Sequence, residues 1–368
     1  MADPAGATNY IPITADHTKL AASMPDAGNT FGPAPIIIDQ AAAVNYEGGA
    51  ATFIDGLLAN CTDLKVTDPT GAINVPFGIN QFSQVAGSRK LILGLGIPST
   101  APLLSSADTI YRLYRGCTGG TFENRAGVVP TADGFLQYLA LEESSGTFQD
   151  WTTADNDGTA QGAVTYGATG QVGNAVSLPG GVVYISTPVT TALTNFTAMA
   201  WFKFTGATPA YHRILDKHYA EGFWIGGPAA NTWGGGVREP GPPYGRFVTL
   251  ADGALHHIAS VRDGTTHTIY GDGGAVTASG TVTADAMSTV AMRIGDQVQG
   301  NAGFVGILDE VQIASVARSA NWITSYYNMT SANGTFWTVG AEVALGGGLP
   351  IIGGRAFGRS GPSLAGMR

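Results

Sequence analysis

The sequence predicts an all-β protein in two parts, the second an antiparallel sandwich, and three observations carry that prediction. Charged residues make up only 12% of the 368 residues while Gly reaches 53. That balance suits short strands and tight turns better than helices, whose solvent faces need Lys and Glu. Short apolar or alternating runs recur along the chain, separated by turn pairs such as Asp157-Gly158, Asp263-Gly264 and Asp272-Gly273. Helical periodicity is confined to one stretch near the end.

Taken in order, residues 1–117 read as a β-rich N-terminal domain. Asp68-Pro69-Thr70-Gly71 carries turn residues in turn order. The run 89–95 is short and apolar, and 109–114 alternates with the period of a half-buried strand. Residues 118–132 are rich in Gly and Thr and read as a linker. Residues 133–344 form the second domain, with strands expected over 135–141, 175–178, 197–204, 256–262, 266–270, 292–294 and 303–313. Strands at this spacing with no intervening helices indicate a sandwich. One short helix is expected over 319–328, with Ser319 as its cap and Trp322, Ile323 and Tyr326 on one face. Residues 345–368 are Gly-rich, hold three Arg and no acid, and read as a basic tail.

Composition excludes several classes of function. A net charge of −9 argues against nucleic acid, whose binders cluster Lys and Arg, and against an anionic membrane surface. No run approaches 18 apolar residues, so membrane insertion is not expected. The N-terminus shows neither a basic n-region nor an apolar h-region, so the protein is expected either to stay where it is made or to leave without a cleaved signal, for instance within an assembled particle. Cys61 and Cys117 read as small apolar side chains, with a bridge inside the first domain as the alternative, and give no zinc pattern.

The second part resembles a known family. Leu139–Gly146 (LALEESSG), Asp150, Asn156–Thr159 (NDGT), Gly167–Ala175 (GATGQVGNA), Phe196–Phe202 (FTAMAWF), His256-His257-Ile258-Ala259, Asp272-Gly273, Gly306–Ile313 (GILDEVQI), Ala317-Arg318-Ser319 and Trp322 follow one another as in LamG-like, concanavalin A-like jelly rolls. Leu255 stands where that family usually has Trp, and Gly271 where an apolar residue usually precedes Asp-Gly. With Asp63, Asp68 and Gly71 (CTDLKVTDPTG), a strand near Leu91–Leu95 and then Thr109–Tyr114 ahead of the linker, the first part resembles a small β domain of unassigned function that often precedes LamG modules. The fold class implied is an all-β, concanavalin A-like antiparallel sandwich with an N-terminal β-rich domain. In related sandwiches a calcium is held by an acid in the first loop and another on the closing strand. The resemblance therefore nominates Asp150, Asp157 and Asp309 as metal ligands, a hard-oxygen set suited to calcium.

Catalysis is not expected. A retaining glycosidase needs two carboxyls about 5–5.5 Å apart facing one cleft. The adjacent pairs Glu142-Glu143 and Asp309-Glu310 would point to opposite faces of a strand, and no Gly-x-Ser-x-Gly elbow occurs. For ligand binding, the segment 211–247 concentrates aromatics and polar groups among Gly and Pro. It nominates Tyr211, His212, Trp224, Trp233, Arg238 and Tyr244 as a glycan site, since sugar C–H faces stack on aromatic planes while Arg and His bind hydroxyls; the alternative is that Trp224 and Trp233 are core aromatics. The reading that follows is a non-enzymatic structural or adhesive protein of a particle or cell surface, in its fullest form a phage virion component (decoration, fibre or tail-associated). Its partners are neighbouring subunits and surface glycans. A lectin-like glycan-binding module is the first alternative and a glycoside hydrolase the second.

Overall fold

The computed structural model describes residues 3–25, 30–47, 49–206, 211–218, 220–237, 245–282 and 287–345. The chain is nearly all β. Its first part contributes β1 (Asn9–Ala15), β2 (Phe31–Asp39), β3 (Lys65–Thr67), β4 (Phe77–Ser83), β5 (Lys90–Ile97) and β6 (Thr109–Arg115). Two short helices, α1 (Ala50–Asp55) and α2 (Arg125–Val128), lie among them. The sandwich follows with β7 (Phe135–Leu139), β8 (Thr159–Gln161), β9 (Thr165–Thr169), β10 (Asn174–Pro179), β11 (Tyr184–Ser186), β12 (Phe196–Phe204) and β13 (His212–Asp216). It continues with β14 (Phe223–Ala229), β15 (Thr232–Val237), β16 (Arg246–Thr249), β17 (His256–Asp263), β18 (Thr266–Gly271), β19 (Gly274–Thr281), β20 (Arg293–Ile294) and β21 (Val305–Ala314). Helices α3 (Ala320–Ser331) and α4 (Asn333–Phe336) and strands β22 (Trp337–Val339) and β23 (Val343–Ala344) complete the described chain.

Two antiparallel sheets make the sandwich. The eight-stranded sheet runs β19-β18-β17-β12-β21-β10-β9, with β7 also on β21, and the seven-stranded sheet runs β16-β15-β14-β13-β20-β11-β8. Strand β21 is ten residues long, so one edge takes β10 along its first half and β7 along its second. Successive side chains of β12 divide between two cores, as a period of two requires. Ala198, Ala200, Phe202 and Phe204 face the second sheet and join the core between the sheets. Met199 and Trp201 point the other way and join a second cluster that includes Ile11, Phe31, Leu93 and Tyr111 of the first part.

The outer face of the eight-stranded sheet is therefore an internal surface of the molecule. Helix α3 covers part of it: Ser319 Oγ caps the helix by accepting from Trp322 N–H, and Trp322, Ile323, Tyr326 and Met329 are buried in the shared cluster. The expected helix over 319–328 is thus found, three residues longer.

Sheet pairing departs from the sequence division in two places. Residues 337–344, counted with the second domain, ladder onto β1: Ile13 pairs with Val339 and Asn9 with Ala344. Together with β6 and β3 they make a five-stranded sheet of the first part. The 118–132 linker holds α2, which packs on β2, β4 and β5 with Val128 and Val129 fully buried. Local signals cannot reveal either contact, because both partners are distant in sequence. The edge of β2 is closed by side chains rather than by a strand. Asn333 Oδ1 accepts from Ile37 N–H, and both Asn333 Nδ2 and Trp337 Nε1 donate to Pro35 O. Capping of this kind blocks edge-to-edge pairing.

Candidate functional site

The outer face of the seven-stranded sheet has a different character. Strand register aligns a row across six strands: Thr159, Ser186, Arg293, Asp216, Trp224 and Gly236. Gln161, Tyr184, Arg213 and Phe247 share the same face at neighbouring positions. Their partners on the opposite face, Ile185, Ile294, Leu215 and Ile225, belong to the sandwich core, which fixes the outward direction of the row.

Guanidinium groups stack on rings at two points: Arg213 lies 4.1 Å above Trp224 and Arg293 4.2 Å above Tyr184. Such contacts hold a long side chain flat and ready to donate. Gly236 makes room for the first stack, since a Cβ there would lie 2.7 Å from Trp224 Nε1. Arg213 pairs with Asp216 at 3.4 Å. Burial pulls the Arg213 guanidinium below its ordinary range and pushes the Asp216 carboxyl above its own. The Arg213–Trp224 half is buried, whereas Gln161, Tyr184, Ser186, Arg293 and Phe247 are half-exposed and Thr159 is exposed. Gln161 Nε2 donates to Ser186 Oγ at 3.1 Å, and Arg293 Nη1 donates to Gln297 O. The open half therefore offers hydroxyls, an amide, a guanidinium and two rings.

Only part of the glycan site expected from sequence lies here. Trp224 does, but at 5% exposure its ring is already covered. Trp233 is fully buried against Phe202, Phe204 and Phe304, with Nε1 donating to Asp252 Oδ1. It is a core residue because the alternation of β15 turns it inward. His212 is tied to Gly303 O at 2.6 Å and packs on Phe204. Tyr211 is exposed, just before β13, and Arg238 and Tyr244 lie outside the described residues. Sequence reasoning missed Arg213, Tyr184 and Arg293. The signal for Arg293 was present, since it alternates with the apolar Met292 and Ile294.

The nominated calcium ligands do not come together. Asp150 accepts four hydrogen bonds, from the N–H groups of Tyr138, Thr152 and Asn156 and from Thr152 Oγ1. A carboxylate so engaged has no lone pair left for a cation. Asp157 Oδ1 accepts from Asp150 N–H, so both acids shape a turn. Among the described residues, the one group of three His, Cys, Asp or Glu side chains with ligand atoms mutually within 4.8 Å is Asp16, His17 and Asp108, in the first part.

Asp309 behaves otherwise. It is fully buried, Oδ2 accepts from Gln171 and Val172 N–H, and Oδ1 has no partner among the described residues. Glu142 matches it: Oε2 accepts from Asn174 N–H and Gln81 Nε2, and Oε1 has no partner. Gly173, at φ +74, fits beside this carboxylate, where a Cβ would lie 2.2 Å from Oε1. Burial pushes Glu142 up to about 8. Burial also raises Asp309 well above its ordinary value, and the charges of Glu310 and Glu142 add to the effect. Glu310, at φ +53 where β21 bulges against β12, accepts from Tyr138 and Tyr326 hydroxyls and is raised by burial to about 7. Asp309 and Glu142 thus each keep one carboxylate oxygen without a partner among the described residues, and the two carboxyls lie near enough for Glu142 to act on Asp309.

For hydrolysis, the geometry is unhelpful. Asp309 and Glu310 are both buried and held by different partners, Gln171 and Val172 N–H for the first and two tyrosine hydroxyls for the second, and they do not line an open groove. Glu142 and Glu143 line a cavity of about 150 Å³ with Asn80, Arg125, Gln149 and Trp151, below the usual size of a ligand pocket.

Comparison with known proteins bears on the fold. The model of the concanavalin A-like lectin/glucanases superfamily matches residues 173–324. No curated protein matches the chain. Among solved structures, a mutant of Trypanosoma rangeli sialidase displaying trans-sialidase activity is similar at 15% identity and a TM-score of 0.44, over 56% of this chain and 35% of that one. Domain 4 of an extracellular arabinanase from Geobacillus stearothermophilus, in complex with arabinotriose, is similar at 19% identity and 0.38, over 53% and 98%. The binding domain of Paraclostridial Mosquitocidal Protein 1 is similar at 12% identity and 0.43, over 53% and 52%. The chain thus spans about a third of the first of these and half of the third. The matched residues 173–324 lie within the concanavalin A-like sandwich, and a β-rich N-terminal region precedes it.

Proposed function

We propose that this chain is a non-catalytic binding module of a particle or cell surface, and that the open face of its seven-stranded sheet takes a glycan. The carrying observation is the half-exposed group of Tyr184, Arg293, Gln161 and Ser186, beside a sheet whose other partner has its outer face covered. Rings, a fixed guanidinium and hydroxyls suit a ligand with C–H faces and many hydroxyls. A superfamily that includes lectins agrees with this reading. A glycan array and titration calorimetry test it with the wild type, Tyr184→Ala and Arg293→Ala. Binding by the wild type that falls at least tenfold in either variant, with Tm unchanged, is expected. Absence of binding by the wild type, or equal binding by all three, removes it.

Calcium belongs to the same proposal as a structural ion held by Asp309 and Glu142, supported by their two unpartnered oxygens. Bound there, it would supply the positive charge that lets these buried carboxyls release their protons; this chain's part is to hold the loop at Gln171–Asn174 against both of them.

The particle part of the reading, with a phage virion as its fullest form, draws on the Gly-rich tail with three Arg in a chain of net charge −9. Neighbouring subunits are its expected partners and the exterior of a virion or cell its expected location. Fractionation of the native source tests it: recovery with particles supports this part, and recovery with free cytosolic protein removes it.

A further inference from the structure

The first part carries a cavity of about 300 Å³ that the glycan reading does not use. Its lining includes Leu104, Ile110, Pro69 and Pro102 beside Asp68 and Asp108. Leu104 and Ile110 are 41% and 40% exposed, unusual for side chains of their size. Behind Asp108 of its lining stands Asp16, with carboxylate oxygens within 4.8 Å of one another and His17 in the same group. Asp16 is held below the usual carboxylate range by hydrogen bonds from Thr18, and Asp108 by those from His17, so both are anionic at neutral pH. The site is an apolar cup with a negative lip.

This chain contains a segment of complementary chemistry. Residues 346–368 lie outside the described residues; their sequence alternates apolar Leu349, Ile351, Ile352 and Phe357 with Gly, Arg355 and Arg359, and contains no acid. Geometry gives the direction of approach. Strand β6 begins at the cavity, with Thr109 opposite Ala15, and ends seven residues on, with Arg115 opposite Asn9. Strand β23 pairs Val343 with Tyr10 and Ala344 with Asn9, and Leu345 N–H then donates to Thr8 O. Leu345, the last described residue, therefore lies at the end of this sheet about 20 Å from the cavity. Phe357 lies twelve residues beyond Leu345, a reach of up to about 40 Å.

We infer that residues 351–359 of one copy seat in the Leu104–Ile110 cavity of the next, with Phe357 or Ile352 in the cup and Arg355 and Arg359 against Asp16 and Asp108. Tail and cavity are different surfaces of the chain, so their pairing between copies is a heterologous, head-to-tail contact, which propagates into a ring or a filament. Charge complementarity orients the segment, and the apolar side chain supplies most of the affinity. This contact rests on the assembly part of the reading above and is independent of the glycan part.

The test uses the full-length chain carrying Ile110→Cys with Phe357→Cys, oxidised mildly and separated without reductant. The native Cys61 and Cys117 are free and buried. A ladder of disulfide-linked multimers is expected, and it should vanish when Val182→Cys, at a site 74% exposed, replaces Ile110→Cys. A cross-link within single chains only, or a ladder equal to that of the Val182 control, overturns the inference. In sedimentation velocity, Arg355→Glu with Arg359→Glu should weaken self-association at least tenfold, with partial rescue by Asp108→Lys. Unchanged association overturns the inference as well. A chain that co-purifies with particles but shows neither effect removes this contact alone and leaves the particle reading standing.

Discussion

The two sheets of the sandwich share one core but differ on their outer faces. The eight-stranded sheet presents Met199, Trp201, His257 and Glu310 outward, and every one of them is buried beneath α3 and the first part of the chain. The seven-stranded sheet presents Thr159, Gln161, Tyr184, Ser186 and Arg293, none of them buried. Aromatic content alone does not separate a binding face from an internal joint. What separates them is whether polar groups interleave with the rings and stay within reach of solvent.

Four experiments break or sharpen that contrast. Trp201, 2% exposed and stacked on Tyr327 at 5.6 Å, should behave as a core residue despite its outward position. Trp201→Ala should destabilise the protein by about 3–5 kcal/mol, and fluorescence and circular dichroism should report one coincident denaturant transition. Two transitions would show that the covered face is not a joint. Trp233→Ala should be equally damaging, which makes it unsuitable as a probe of ligand binding.

Calcium should act next most strongly. At a concentration one hundred times Kd it should raise stability by about 2.7 kcal/mol in the wild type, followed by thermal unfolding. Asp309→Asn and Glu142→Gln should abolish that gain, whereas Asp157→Asn should keep it. Retained stabilisation in both of the former variants would move the ion elsewhere.

His257 comes third. It is fully buried among Trp201, Tyr326 and Tyr327, and neither ring nitrogen has a partner among the described residues. Burial pulls its pKa down from 6.5 to about 3. Between those values the unfolded chain holds a proton that the folded chain lacks, so stability falls as the pH drops through that window. His257→Phe should raise stability by about 1–2 kcal/mol at neutral pH. It should also remove one proton, about 1.4 kcal/mol per pH unit, from the acid dependence relative to wild type. An unchanged acid slope would show that the imidazole is satisfied. Smallest of all, Tyr184→Ala and Arg293→Ala on the open face should shift stability by no more than about 0.5 kcal/mol while removing glycan binding.

Much of the sandwich was legible because its signals are local. Short apolar runs mark β12, β17 and β18, Asp-Gly pairs mark the turns, and Ser319 marks the start of α3. The covered face was not legible, because nothing near Asn9–Ala15 announces a partner more than 300 residues away, and nothing near Trp201 announces a lid. The site was half legible. Trp233 misled because Thr-Trp-Gly-Gly-Gly reads as an open loop, whereas its glycines lie on a strand that turns the indole inward. Asp309 was nominated from its motif, and its burial with one unpartnered oxygen was not visible there. Glu142 was weighed only as half of an adjacent acid pair, although it lies beyond the end of β7, where strand alternation no longer applies.

The pairing of β1 with β22 and β23 also sets an order of events during synthesis. One long edge of β1 stays open until residue 344 has left the ribosome, some 330 residues after β1 itself. At about 5–20 residues per second that interval is on the order of tens of seconds. The first part of the chain must therefore wait, unfinished, while the sandwich is made. Its exposed strand edge during that wait is where a chaperone, or a premature encounter between nascent chains, would act.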